Sequence, residues 1–203
     1  MFSNKEKQLA ILIDPGKYGV DCLIDLLQKM QQIPPHYILV GGSTTSASID
    51  ETINLIRQYL DIPIILFPGN ASQFTPQADA LMYLSLISGR NPDYLIGQHV
   101  LSSISIKKSA LKVIPVGYML IESGRMTSVE YISNTKPIPS NKVEIAVCTA
   151  VAGELLGMQS IYLEAGSGAD RPVPAEMIRA VKKNISVPLI VGGGIRTVEA
   201  LKN

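Results

Sequence analysis

Pro188-Leu189-Ile190-Val191-Gly192-Gly193-Gly194-Ile195-Arg196-Thr197 runs a short apolar strand into three glycines and then into the start of a helix. Glycine lets bare backbone N–H groups approach an anion closely, and a helix N-terminus adds a favourable dipole. The plain alternative is a tight turn in which glycine only permits positive φ; three glycines in succession exceed what one turn needs. One unit earlier, Tyr162-Leu163-Glu164-Ala165-Gly166-Ser167-Gly168-Ala169 repeats the logic. With Leu163 turned toward covering helices, strand alternation puts Tyr162 and Glu164 on the opposite, inward face. Glu164 then stands at a strand end beside a Gly-Ser-Gly loop. There a carboxylate serves as general base for a hydroxyl or as hydrogen-bond acceptor for a polyol, and a solvated strand-end glutamate is the bland option.

Working outward, the chain alternates short β-branched runs with longer amphipathic ones. Strands are expected at Leu9–Ile13, Tyr37–Val40, Pro63–Phe67, Ala80–Leu84, Val113–Ile121, Ser160–Glu164 and Pro188–Val191. Helices are expected over Val20–Gln32, roughly Ser46–Tyr59, about Asp93–Lys107, near Lys142–Leu156, over Pro174–Lys183, and from about Thr197. Thr45 or Ser46 is the expected cap of the second helix. The alternation predicts an α/β fold of the TIM (β/α)8-barrel type, residues 1–203 forming one domain. Seven strands fall one short of closure, so the eighth is expected to be absent from this chain, leaving the domain incomplete at its C-terminal end. Residues 122–141 form the one long irregular stretch, with a short strand expected at Ser128–Ile132. Placed straight after a strand, this segment reads as a lid over the strand ends or as a plain surface excursion.

Composition narrows the partners. The net charge of +1 supplies no broad field for nucleic acid, so any anion must be captured locally. Aromatics make up 5% of the residues and Trp is absent, leaving an aliphatic interior suited to parallel strands covered on both faces. Cys22 and Cys148 read as isolated thiols, and the polar stretch Met1–Gln8 lacks a signal peptide's apolar core, so a cytoplasmic location is expected.

Further polar loops follow other strands. Asp14-Pro15-Gly16-Lys17 is a good turn; it also places a hard carboxylate suited to Mg²⁺ beside a lysine that can neutralise phosphate. Gly41-Gly42-Ser43-Thr44-Thr45-Ser46 offers the Ser43 hydroxyl as a weaker metal oxygen. Phe67-Pro68-Gly69-Asn70 and Ser88-Gly89-Arg90-Asn91-Pro92 complete the set, with Arg90 a diphosphate candidate. Together these loops describe a phosphate cradle after the sixth and seventh strands and a metal–diphosphate place after the first two.

The ordered set Ile13–Lys17, Val40–Ser43, Phe67–Asn70, Tyr162–Gly168 and Val191–Ile195 resembles the geranylgeranylglyceryl phosphate synthase family from the first strand to the chain's last residue. The resemblance implies a TIM barrel that joins sn-glycerol 1-phosphate to a prenyl diphosphate with Mg²⁺. It further implies Asp14 and Ser43 as metal positions and Tyr162, Leu163, Glu164, Ala165, Gly166, Ser167, Gly168, Gly193 and Gly194 as the glycerol phosphate site. Glu164 would lie near the attacking hydroxyl, and Lys17 would match an assisting basic position. The family continues into an eighth strand with a Gly-Asn pair that this chain lacks. Leu84, Tyr94, Leu95 and Ile96 are candidates for the prenyl trench, though core packing explains them equally well. Expected partners are the two small-molecule substrates, at most a transient membrane surface, and a second copy of the chain. Two other readings stay open: an isomerase or lyase of the ribulose-phosphate-binding barrel type, and a non-catalytic phosphate-metabolite binding protein.

Overall fold

The computed structural model describes residues 2–4, 6–44 and 47–202. In chain order it holds β1 (Ala10–Ile13), α1 (Val20–Gln32), β2 (Tyr37–Val40), α2 (Ile49–Tyr59), β3 (Ile64–Leu66) and β4 (Ala80–Leu86). There follow α3 (Gln98–Lys108), β5 (Lys112–Leu120), α4 (Ser128–Ser133), α5 (Val143–Leu155), β6 (Ser160–Glu164), α6 (Ala175–Asn184), β7 (Leu189–Gly192) and α7 (Val198–Lys202). A 3₁₀ turn at Ala71–Gln73 follows β3, and a wider π turn at Asp93–Gly97 leads into α3. The seven strands lie in one sheet in chain order. Their described pairings are parallel, for example Leu12 opposite Leu39 and Tyr118 opposite Tyr162. The fold is therefore of the α/β, (β/α)-barrel class, with seven strands among the described residues. Strands β2, β3 and β6 are buried at every position, whereas β7 is half-buried throughout and β1 has one buried residue, Ile13. That contrast follows from position in the order: an interior strand is covered on both sides and a terminal one is not.

The chain forms two compact units. One holds residues 5–83 and 98–114; the other holds 1–4, 84–97 and 115–203. In the first, α1 turns Leu23, Leu27 and Met30 inward at helical spacing onto Ile13, Ile38 and Val40, and α2 adds Ile53 and Ile56. In the second, Met119, Ile161 and Leu163 pack against Ala146 and Ala150 of α5 and Met177 and Val181 of α6. Small residues on α5 permit close approach: a Cβ on Gly153 would lie 2.7 Å from Ile87 Cδ1.

Local chemistry moved some boundaries. Ser48 caps α2, its Oγ accepting the Glu51 N–H at 3.2 Å; the caps expected at Thr45 or Ser46 lie outside the described residues. The strand expected at Ser128–Ile132 is instead the helix α4. Thr127 caps it by accepting the Glu130 N–H, and Asn134 ends it in the left-handed region with φ 47°. The cap satisfies a backbone donor that an extended segment would have to pair with another strand. The 122–141 segment is anchored where it returns to the sheet. Glu122 N–H donates to the Ile138 carbonyl and Ile138 N–H to that of Leu120, both at 2.9 Å. Cys22 and Cys148 are free and exposed. No helix among the described residues is long and apolar enough to cross a membrane.

Candidate active site

The residues singled out by sequence fall into two groups, one in each unit, and each group is described in its own frame. In the unit built on β1–β3, Asp14 directly follows β1 and is 8% exposed. The Lys17 N–H donates to the Asp14 carbonyl at 3.0 Å, closing the expected turn, and the Gly16 N–H reaches Oδ1 at 3.3 Å. Lys17 Nζ sits 3.2 Å from Asp14 Oδ2, so the lysine neutralises the carboxylate directly. Backbone from the β2 loop lies against the same group: a Cβ on Gly42 would stand 2.5 Å from Asp14 Oδ2. Only glycine fits there, and its neighbour is Ser43. The loop after β3 packs on this one in turn, since a Cβ on Gly69 would be 2.4 Å from the Gly42 carbonyl oxygen.

Gln73 fastens these loops together, a residue the sequence reading passed over. It is 4% exposed, its Nε2 donates to the Gly42 carbonyl at 2.7 Å, and its Oε1 accepts from Gly69 N–H at 3.0 Å and Gly42 N–H at 3.4 Å. A lone glutamine in a polar loop ordinarily reads as solvated, so no signal in the sequence marks it. Gln73→Leu keeps the bulk and leaves these buried backbone groups without their partner. It is expected to cost about 1–3 kcal/mol by denaturant unfolding.

Among the described residues there is no cluster of three or more His, Cys, Asp or Glu side chains fit to hold a metal. The donor set at this rim is one carboxylate and one hydroxyl. That does not make an all-protein cage, but it fits Mg²⁺, which takes one or two protein oxygens and completes its shell with substrate phosphates and water.

The second group lies in the unit containing β5–β7. Glu164 ends β6, is 6% exposed, and its Oε1 accepts the Gly166 N–H at 2.6 Å. Tyr162 and Leu163 separate as alternation predicts. Leu163 packs with the apolar side chains of α5 and α6, while Tyr162 shares the face of Glu164. The inward face holds a second tyrosine. Tyr118 on β5 stands opposite Tyr162, with ring centroids 5.4 Å apart. Both phenols hydrogen-bond to Glu164. Burial, and next the negative charge of Glu164, push both phenols well above their ordinary range, so they remain protonated donors. Tyr118 escaped the sequence reading because it sits inside the apolar run 116–121, where an aromatic reads as core.

The glycines around Glu164 are close-approach residues. Gly193 has φ +79°, and a Cβ there would lie 2.4 Å from Glu164 Oε1 and 2.5 Å from Gly166 N. A Cβ on Gly192 would strike the Tyr162 hydroxyl. The Gly166 N–H is committed to Glu164 and the Ala169 N–H to the Gly166 carbonyl, so Ser167 and Gly168 are the exposed part of the loop. Leu163 and Ala165 are buried side chains within the apolar cluster and can offer a ligand only backbone. In Gly193→Val the first collision of the new side chain is with the Glu164 carboxylate. The variant is therefore expected to lose turnover as well as glycerol phosphate affinity, read by rate and calorimetry on protein whose circular dichroism is unchanged.

The 122–141 segment contacts this loop. Arg171 N–H donates to the Ser123 carbonyl at 3.1 Å, and Arg171 Nη2 lies 3.4 Å from Glu122 Oε1. The Thr127 methyl fills the space a Cβ on Gly166 would need, at 2.4 Å. Of the remaining candidates, Arg90 is exposed and donates to the Gly89 carbonyl at 2.7 Å. Leu84, Tyr94 and Leu95 are half-buried, and Ile96 is 60% exposed.

A parallel β/α fold with strand-end glycine loops, a buried carboxylate held by phenols, and a separate carboxylate–lysine pair defines a (β/α)-barrel of the enzyme type. More narrowly, residues 3–203 match the PcrB family, and the chain belongs to it. It is similar to the geranylgeranylglyceryl phosphate synthase of Spirosoma linguale, 52% identical over 201 residues that cover 97% of this chain and 81% of that protein. The synthase of Thermococcus kodakarensis is 41% identical over 197 residues, 96% of this chain and 77% of that one. In structure the chain resembles the (S)-3-O-geranylgeranylglyceryl phosphate synthase of Thermoplasma acidophilum, solved in complex with its substrate sn-glycerol-1-phosphate. The TM-score is 0.91 at 32% identity, over 98% of this chain and 80% of that one.

Proposed function

We propose that this protein is a prenyltransferase that joins sn-glycerol 1-phosphate to a long-chain prenyl diphosphate, geranylgeranyl diphosphate foremost, giving a prenylglyceryl phosphate precursor of ether lipids. The observation that carries the reading is Glu164, a buried carboxylate held by Tyr118, Tyr162 and the Gly166 amide next to an exposed Ser167-Gly168 loop, in a chain so similar to named synthases.

In this reading the loop and Gly193–Gly194 hold glycerol phosphate by backbone, and the C3 hydroxyl lies at Glu164. That hydroxyl oxygen forms a bond to C1 of the allylic diphosphate as the bond from C1 to the diphosphate oxygen breaks. Diphosphate leaves with the bonding pair, and the hydroxyl proton passes to Glu164. Tyr118 and Tyr162 hold the carboxylate in one orientation throughout, so little reorganisation accompanies proton transfer. Asp14 and Ser43 would hold Mg²⁺, which when bound supplies charge neutralisation of the diphosphate. Lys17, 3.2 Å from Asp14, would turn to the diphosphate as a point charge. Residues 122–141 keep water from the reacting carbon, the role of a lid.

Incubation of the protein with sn-glycerol 1-phosphate and a panel of prenyl diphosphates, followed by mass spectrometry, tests the reading and fixes the chain length together. The expected result is a phosphate ether whose mass tracks the prenyl donor. Turnover of a phosphosugar without any prenyl diphosphate would sink it in favour of a barrel isomerase or lyase, and ligand binding without product would favour a binding protein.

A further inference from the structure

Three arginines border the Gly166-Ser167-Gly168 loop, and their ends are differently engaged. Arg171 sends Nη2 to Glu122, 3.4 Å away. Arg196 Nη2 donates to the Ala169 carbonyl at 2.8 Å and the Gly168 carbonyl at 3.4 Å. Arg125, from the segment after β5, is held by its other nitrogen: Nε lies 3.6 Å from Asp170 Oδ1. That leaves its Nη end directed over the loop, with Nη2 2.6 Å from the point a Cβ on Gly168 would occupy. Gly168 has φ +75°, a backbone conformation that strains a side chain, and the Arg125 guanidinium lies over the space beside it.

We infer that Arg125 is a ligand-binding residue of this site, whose Nη fork takes the phosphate oxygens of glycerol phosphate at the exposed Ser167-Gly168 loop and is parked on Asp170 when no ligand is there. The inference rests on the reading of this loop as the phosphate cradle and deepens it. Backbone amides carry only partial charge, whereas the ligand's phosphate monoester carries about −1.5 to −2 at neutral pH. With a net charge of +1 the protein offers no general attraction, so a local cation must supply the balance. A planar guanidinium is suited to it, because two parallel N–H donors match two phosphate oxygens. The Arg125 and Asp170 side chains are 55% and 51% exposed, and an ion pair of that kind is weak enough to exchange for a dianion.

Calorimetric titration of sn-glycerol 1-phosphate into the full chain and its variants, at low and moderate salt, tests the assignment. Arg125→Met should weaken binding about 10–100-fold, as loss of a charged hydrogen-bonded contact does, and should flatten the salt dependence. Arg125→Lys should fall between, since it keeps charge and loses the fork. Asp170→Asn should tighten binding severalfold by releasing the fork, and that gain should vanish in the double variant with Arg125→Met. Wild-type affinity in Arg125→Met overturns the inference while leaving the cradle intact; Arg125 is then a solvated surface cation. Weaker binding in Asp170→Asn also overturns it, because the pair would then be supporting the loop rather than competing with the ligand. Absence of binding to the wild-type protein removes both the cradle reading and the inference. Should Arg125→Met misfold by circular dichroism, the lysine and asparagine variants decide, and unchanged affinity in both rejects it.

Discussion

Glu164→Gln is expected to lower the single-turnover rate by about 10²–10⁴-fold, the usual contribution of a positioned base. The amide keeps the size of the carboxylate and loses its basicity. Single-turnover measurement matters because release of a greasy product can hide the chemical step in the steady state. A wild-type rate in the variant would rule out the base and leave bulk water to take the proton. Although Glu164 lies at a strand end, the substitution is also expected to cost stability. Glu164 is 6% exposed and accepts from the Gly166 amide and two phenols. Glutamine offers a single acceptor oxygen in place of a carboxylate, so a buried donor loses its partner, at about 1–3 kcal/mol. Removing the charge should also let Tyr118 and Tyr162 ionise at lower pH than in the wild type, since the Glu164 charge is part of what raises them. Ultraviolet difference titration reads that shift independently of activity.

Asp14→Asn is expected to have the other large effect, a loss of turnover of about a hundredfold or more with glycerol phosphate affinity largely kept. Neutralising a leaving diphosphate contributes several kcal/mol, and each 1.36 kcal/mol is tenfold in rate, so a hundredfold loss corresponds to about 3 kcal/mol. Asparagine retains an oxygen for the Gly16 N–H, so the turn at Asp14–Lys17 should persist. It loses the charge that holds Lys17 and the hard anionic oxygen a magnesium ion requires. The residues proposed to hold glycerol phosphate belong to the other compact unit, which is why the two ligands should respond separately. Equal losses of activity and of glycerol phosphate affinity, by rate assay and calorimetry, would show that the subsites are not independent.

Much of this architecture was written in local pattern. Helix α1 begins and ends at Val20 and Gln32 as expected, because its apolar residues recur at helical spacing and prolines follow it. Strand β6 likewise falls on Ser160–Glu164, and its alternation put Glu164 on the face opposite Leu163. The glycines at 192–194 were legible as a strand-to-helix loop; Gly192 and Gly193 pass Tyr162 and Glu164 too closely for any side chain, and Gly194 passes the Arg171–Pro172 backbone. The signal failed where a capped turn competed with a strand. At residues 128–132 β-branched and aromatic side chains suggested extension, but the Thr127 cap and Asn134 made a short helix.

The sequence by itself determined most of the elements and their order, since each depends on residues near one another in the chain. Tertiary structure alone decided which side chains act on those loops. Tyr118 reaches Glu164 only through the register of β5 against β6, which pairs Tyr118 with Tyr162 and Leu120 with Glu164. Gln73 holds Gly42 across 31 positions of sequence. Arg125 meets Gly168 because the segment after β5 and the loop after β6 pack side by side. Hydrogen bonds and ion pairs act over a few ångströms whatever the separation along the chain. Until strand register and loop packing are fixed, a buried tyrosine, a loop glutamine and a surface arginine look like any others of their kind.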